Sequence, residues 1–136
     1  MPTIKTIYKG DLRTVATHLQ SGEQIITDAP TDNCGKGEFF SPTDMAAAAL
    51  GSCMLTIIGI AANNHKFSID NTELEITKIM GTEPRRIVEI VLEFSFPKNN
   101  YSDKEKKIIQ QCTVNCPVGK SLHPDLKQTI KLNFNT

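Results

Sequence analysis

From Met45 to Ala62 the chain carries no charged residue. The stretch is rich in Ala and reads as one helix, apolar on every face and about 27 Å long at 1.5 Å per residue. Ser41-Pro42 opens it, with Ser41 as N-cap and Pro42 at the first helical position. Asp44 lies in the first turn, where a negative charge suits the helix dipole. Such a helix is long enough to cross a bilayer. Gly51, Ser52, Thr56 and Gly59 dilute its apolarity, however, and the flanking segments alternate like the strands of a soluble protein. The reading is therefore a core helix that something must wrap. A chain of 136 residues makes one domain, residues 1–136, with one modest sheet. Covering the remaining face of the helix asks for a second subunit, so an intertwined homodimer is expected.

The segments around the helix read as strands. Ile4, Ile7 and Tyr8 precede a turn at Lys9-Gly10-Asp11, and Leu12 to Leu19 is rich in Thr and Val. Ser21-Gly22-Glu23 makes a second turn before Gln24 to Thr27, which suggests an antiparallel meander. Asp28 to Phe40 has no periodicity and reads as a long loop. After the helix, Leu74 to Met80 is strand-like and Gly81 to Pro84 turns. Val88, Ile90, Leu92, Phe94 and Phe96 then mark a half-buried strand. Ser102-x-x-Glu105 is a capping box for a second helix, with Ile108, Ile109 and Cys112 as its apolar face. Cys116-Pro117 begins a short helical turn, and Ile130, Leu132 and Phe134 form a last strand. Strands in groups, not alternating one-for-one with helices, give the class α+β: antiparallel strands around a long buried central helix.

Fifteen basic residues balance fifteen acidic ones, and the chain has no Trp and only two Tyr. Neither the charge nor the aromatic content favours nucleic acid or an anionic membrane surface. The start, MPTIKTIYKG, lacks the apolar run and cleavage site of a secretory signal, so a cytoplasmic location is expected. In that reducing compartment the cysteines at 34, 53, 112 and 116 are thiols or redox groups. They form no C-x-x-C pair, and the three His fall at no zinc-ligand spacing from them. Neither a metal nor a cofactor is expected.

Cys53 sits mid-helix, where a buried Cys often serves as a small hydrophobe. Cys116 precedes Pro117 and would cap the short helix, whose free N–H groups favour a thiolate. Two runs of sequence add to this local reading. Ser41-Pro42-Thr43-Asp44-Met45-Ala46-Ala47-Ala48-Ala49-Leu50-Gly51-Ser52-Cys53-Met54 and Cys116-Pro117-Val118-Gly119-Lys120-Ser121-Leu122-His123-Pro124 resemble the paired signatures of the OsmC/Ohr family, and more closely its OsmC-like branch. Gly35 to Pro42 is similar to that family's lead-in to the central helix.

The resemblance implies a Cys-based, thiol-dependent peroxidase that reduces organic hydroperoxides and is recycled by a dithiol or monothiol. By match, Cys53 attacks the peroxide and Cys116 closes a disulfide on it. The chemistry is coherent on its own terms. The attacker must be a thiolate, burial alone disfavours one, and Cys53 lies too deep in its helix for much help from the dipole. A cation is needed, and a sulfenic acid product then needs a second thiol nearby. The family supplies the cation as an Arg from the N-terminal strands, which matches Arg13 in Gly10-Asp11-Leu12-Arg13-Thr14.

The Ohr branch also places a Glu directly after the Pro that opens the central helix. This chain has Thr43 there, which leaves Asp44 and Glu38 as candidate carboxylates to hold Arg13. That departure keeps a second reading open: a non-catalytic redox sensor, or a protein that binds a small hydrophobic ligand on the same scaffold. Cys34 and Cys112 have no place in the motifs, and His123 is read as structural.

Overall fold

The computed structural model describes residues 1–97 and 100–134. The chain divides into two compact units, Met1–Ala46 and Ala47–Thr136.

In the first unit, β1 (Ile4–Gly10), β2 (Arg13–His18) and β3 (Gln24–Asp28) form an antiparallel sheet in sequence order. The expected meander is present, with β3 one residue longer than its apolar pattern. The β1–β2 turn places Gly10, Asp11 and Leu12 at positive φ, a conformation that Gly takes at no steric cost. Successive strand residues point to opposite faces. Ile7, Val15 and Ile26 therefore share one face through the registers Ile7↔Val15 and Val15↔Ile26. Arg13 and Asp28, paired across β2 and β3, end the same face. The loop after β3 contains a short 3-10 helix, Thr31–Asn33.

Helix α1 runs from Pro42 to Asn64. The N–H of Asp44 donates to Ser41 Oγ at 3.0 Å, and the N–H of Ser41 donates to Asp44 Oδ2 at 3.0 Å. This reciprocal pair satisfies two of the orphan donors at the helix start. The expected cap is thus in place, and Asp44 completes it.

In the second unit, β4 (Glu73–Gly81), β5 (Arg86–Phe96) and β6 (Lys127–Phe134) form a sheet in that order. Helices α2 (Asp103–Cys112) and α3 (Pro117–Ser121) lie between β5 and β6 in sequence. Ser102 caps α2 with the expected box: the Glu105 N–H donates to Ser102 Oγ at 3.1 Å and the Ser102 N–H to Glu105 Oε1 at 2.9 Å.

The β1–β2, β2–β3 and β4–β5 pairings are antiparallel, as expected, whereas β6 runs parallel to β5. The connection through α2 and α3 brings the chain back before β6 begins, as a parallel neighbour requires.

The core of this unit joins Leu50, Met54 and Ile58 of α1 to Ile90, Leu92, Phe94 and Phe96 of β5 and Ile109 of α2. Buried residues on α1 fall at 47, 50, 51, 54, 58 and 62, a single stripe. Gly51 lets α1 lie close to the sheet. A Cβ there would stand 2.5 Å from Ile76 Cδ1 and 2.7 Å from Leu74 Cδ2. On the other side Ser52, Thr56 and Ile60 are exposed, so one chain buries one side of the helix and not all of it. The helix is long and apolar enough to cross a membrane by length and composition, and its buried stripe is packed on the sheet.

Candidate functional site

The thiol pair lies in the second unit. Cys53 is on α1 and half-buried, and Cys116 is almost fully buried. Cys116 is the N-cap of α3, with φ −80° and ψ 141°, and Pro117 follows at the first helical position. The missing N–H of Pro costs nothing there. The Gly119 N–H donates to Cys116 Sγ at 3.3 Å. On its other side the Gly119 carbonyl accepts from Gln128 Nε2 at 3.1 Å.

Gly119 is hemmed in. A Cβ would stand 3.1 Å from both Cys116 Sγ and Gln128 Oε1, and 3.4 Å from Leu50 Cδ1. A side chain at this position would press on the sulfur and on Gln128, which would have to give way by a few tenths of an ångström.

The fold brings Cys53 and Cys116, distant in sequence, close enough for each thiol to feel the other. Burial pushes the Cys116 thiol up, the Gly119 N–H pulls it back down, and the nearby Cys53 raises it further. The thiolate character expected from the helix start is thus outweighed. A helix of five residues offers little dipole, and desolvation of the charged form dominates.

A second cluster is built within the first unit. Arg13 Nε donates to Asp28 Oδ1 at 2.7 Å and its NH2 to Asp28 Oδ2 at 2.8 Å, a bidentate fork. The same NH2 reaches Glu38 Oε1 at 2.7 Å. The Glu38 N–H donates to Asp28 Oδ2 at 3.2 Å, and the guanidinium carbon sits 4.8 Å from the centroid of the Phe39 ring. Asp28 is 1% exposed. Its hydrogen bonds with Arg13 hold its carboxyl below the usual carboxylate range and raise Arg13 further above its own.

Of the two expected carboxylates, Glu38 meets Arg13, while the hydrogen bonds described for Asp44 go to the helix cap. Asp28 is the partner that the sequence reading missed. Its signal lies in the register: Asp28 stands opposite Arg13 once β2 and β3 are paired, whereas the sequence from Asp28 onward, without periodicity, reads as loop. Arg13 thus has two carboxylate partners without a Glu at position 43.

Gln128 was also missed. It occupies an inward position of β6, in line with Ile130, Leu132 and Phe134, where a polar side chain calls for a partner. His123 accepts the Asp125 N–H at Nδ1, 3.0 Å away, a turn-forming role as expected. Cys34 is exposed; Cys112 is half-buried at the end of α2, and desolvation raises its thiol.

Comparison with known proteins places the chain in a family. The family model described as OsmC-like protein matches residues 35–131. The chain belongs to the OsmC family.

A solved structure of an osmotic stress induced and detoxification response protein from Psychrobacter arcticus 273-4 is 50% identical. It superposes with a TM-score of 0.94 over 98% of this chain and 96% of that one. An organic hydroperoxide resistance protein from Legionella pneumophila shares the fold at 14% identity, with a TM-score of 0.73 over 100% of this chain and 98% of the other. Another from Vibrio cholerae O1 biovar eltor, with captopril bound in one of its active sites, does so at 12% identity. Its TM-score is 0.72 over 99% and 92%. No curated protein matches the chain.

Proposed function

We propose that the protein is a thiol peroxidase for organic hydroperoxides, with Cys53 as the attacking thiolate and Cys116 as the thiol that resolves it. The closeness of these two thiols carries the reading. Cys53 takes the distal oxygen of the peroxide, breaks the O–O bond and becomes a sulfenic acid, while the alkoxide leaves and takes a proton. Cys116 then attacks the sulfenic sulfur, and a disulfide and one water result.

A Cys116 that stays protonated until then suits this order of events. It does not compete for the peroxide, because the thiolate is the nucleophile. Arg13 supplies the cation that Cys53 needs as a thiolate. That role is what the family resemblance implies; within its own unit the fork of Arg13 is held by Asp28 and Glu38. Leu50, Met54 and Ile57 around Cys53 are apolar, which favours alkyl or lipid hydroperoxides over hydrogen peroxide.

A dithiol or monothiol returns the disulfide to thiols, and no cofactor takes part. The four cysteines stand free, which suits the reducing cytoplasm. The working form is a homodimer of single-domain chains. Exposed apolar side chains support it: Ile60 on α1 is 53% exposed and Ile7 on β1 51%.

The test is a peptide map of reduced protein after one equivalent of cumene hydroperoxide. The expected product is a Cys53–Cys116 disulfide. Cys53→Ser should abolish the reaction, and Cys116→Ser should consume one equivalent and stop at a sulfenic acid on Cys53. A dominant Cys112–Cys116 link would remove Cys116 from the resolving role. Disulfide formation without turnover, whichever thiol is supplied, would turn the reading to a redox sensor.

A further inference from the structure

A cavity of about 200 Å³ opens beside Cys116, between the α2–α3 connection, α3 and β6. Its walls include Thr113, Val114, Cys116, Lys120, Gln128 and Ile130, and among the described residues they do not include Cys53. Val114 is 61% exposed, so the cavity meets solvent on that side. Lys120 is the one charged residue among its described walls.

We infer that this cavity admits the thiol that recycles the protein, that the incoming sulfur attacks Cys116 rather than Cys53, and that this thiol carries a carboxylate received by Lys120. The inference rests on the peroxidase reading above.

The direction of approach and leaving-group chemistry point the same way. Thiol–disulfide exchange runs through attack on one sulfur of the bond, and the other sulfur leaves with the electron pair. The attacker must approach Cys116 along a line that the Cys53 sulfur does not occupy. The cavity supplies an approach to Cys116 whose walls exclude Cys53. The sulfur better able to carry negative charge leaves faster. On the peroxidase reading Cys53 is the thiol that works as a thiolate, and so is that sulfur. Cys116, desolvated by burial, is the poorer leaving group.

In the first step the thiolate of the reductant bonds to Cys116 Sγ, the Cys53–Cys116 bond breaks, and Cys53 departs as a thiolate. The product is a mixed disulfide on Cys116. A second thiol of the same class then attacks the reductant's sulfur. The reductant leaves as its own disulfide, and Cys116 takes up the electron pair and a proton. Two thiols thus supply the two electrons. A carboxylate on the reductant suits an entrance with a Lys in its wall and no acidic residue among those described.

The experiment starts from oxidised full-length protein, prepared with cumene hydroperoxide and, separately, with diamide. Limiting 3-mercaptopropionate or 2-mercaptoethanol is added at matched thiolate concentration. The reaction is quenched in acid, and the adduct is mapped by mass spectrometry. The adduct is expected on Cys116.

Lys120→Glu should slow 3-mercaptopropionate relative to 2-mercaptoethanol by about three- to ten-fold, the effect of reversing one exposed charge. Val114→Trp, which narrows the entrance, should slow both thiols alike. The stoichiometric oxidation step, followed separately, checks that each variant is folded.

An adduct on Cys53, or a ratio of the two thiols unmoved by Lys120→Glu, overturns the proposal and leaves the peroxidase reading intact. Failure of both oxidants to form the disulfide overturns both.

Discussion

Arg13 and Asp28 face each other across β2 and β3, and the pairing favours the charged form of both. The folded carboxyl of Asp28 titrates below its unfolded value, chiefly through its hydrogen bonds with Arg13. Its contribution to stability is therefore complete above about pH 4, the unfolded range for Asp, and is lost as pH falls through the lower native titration. Urea unfolding of the wild type should weaken below about pH 4. Asp28→Asn should be less stable than wild type at pH 7 and should show a smaller loss on the acid side. An unchanged acid limb would mean that the fork does not couple to folding. The guanidinium itself is tested by alkylation. Arg13→Ala should slow iodoacetamide modification of Cys53 at neutral pH, read from the Cys53 peptide alone. Arg13→Lys should recover only part, because a point charge cannot replace the planar fork. Equal rates in wild type and Arg13→Ala would take Arg13 out of the chemistry.

At the scale of elements, α1 is held on its sheet through one close approach. Gly51→Val would push a branched side chain into the ends of Ile76 and Leu74. The expected cost is about 1–3 kcal/mol, the usual range for an overpacked core, and urea unfolding measures it. Adding Ile76→Ala to that variant should return part of the loss, because the two changes share one space. What could be read of these elements from the residues follows the range of each signal. The Ser102–Glu105 box and the Val88–Phe96 alternation are local, and both appear where their patterns place them. The direction of β6 is not local. A period of two says which side chains face inward and nothing about whether the strand runs with or against its neighbour. Asp28 escaped for the same reason, since its meaning lies in a partner fifteen residues away. The closeness of Cys53 to Cys116 was legible only through the paired motifs, not through the spacing of either.

At the scale of the whole molecule, apolar side chains remain uncovered in each unit: Ile60 in the second, and Ile7 and Ile26 on one face of the first sheet. Association of two chains would take that surface out of water, which is favourable in proportion to its area. Sedimentation at micromolar concentration should give a particle of twice 15.0 kDa, and Ile60→Asp should shift it toward the single-chain mass. A wild-type particle of 15.0 kDa would exclude the dimer.

The parallel seating of β6 has a bearing on how the chain is made. Gln128, which holds the Gly119 carbonyl, belongs to a strand that is synthesised after every other element of the sheet. Parallel pairing also waits on a long loop closure, and such steps come slowly. A nascent chain therefore displays Cys53 before the surroundings of Cys116 are complete. On the proposed reading, an oxidant arriving during translation meets a lone thiol that can be carried past sulfenic acid, whereas the finished protein meets it with a pair. Damage by peroxide should accordingly be concentrated in newly made chains, which pulse labelling under oxidant, followed by mapping of sulfinic acid at Cys53, would reveal.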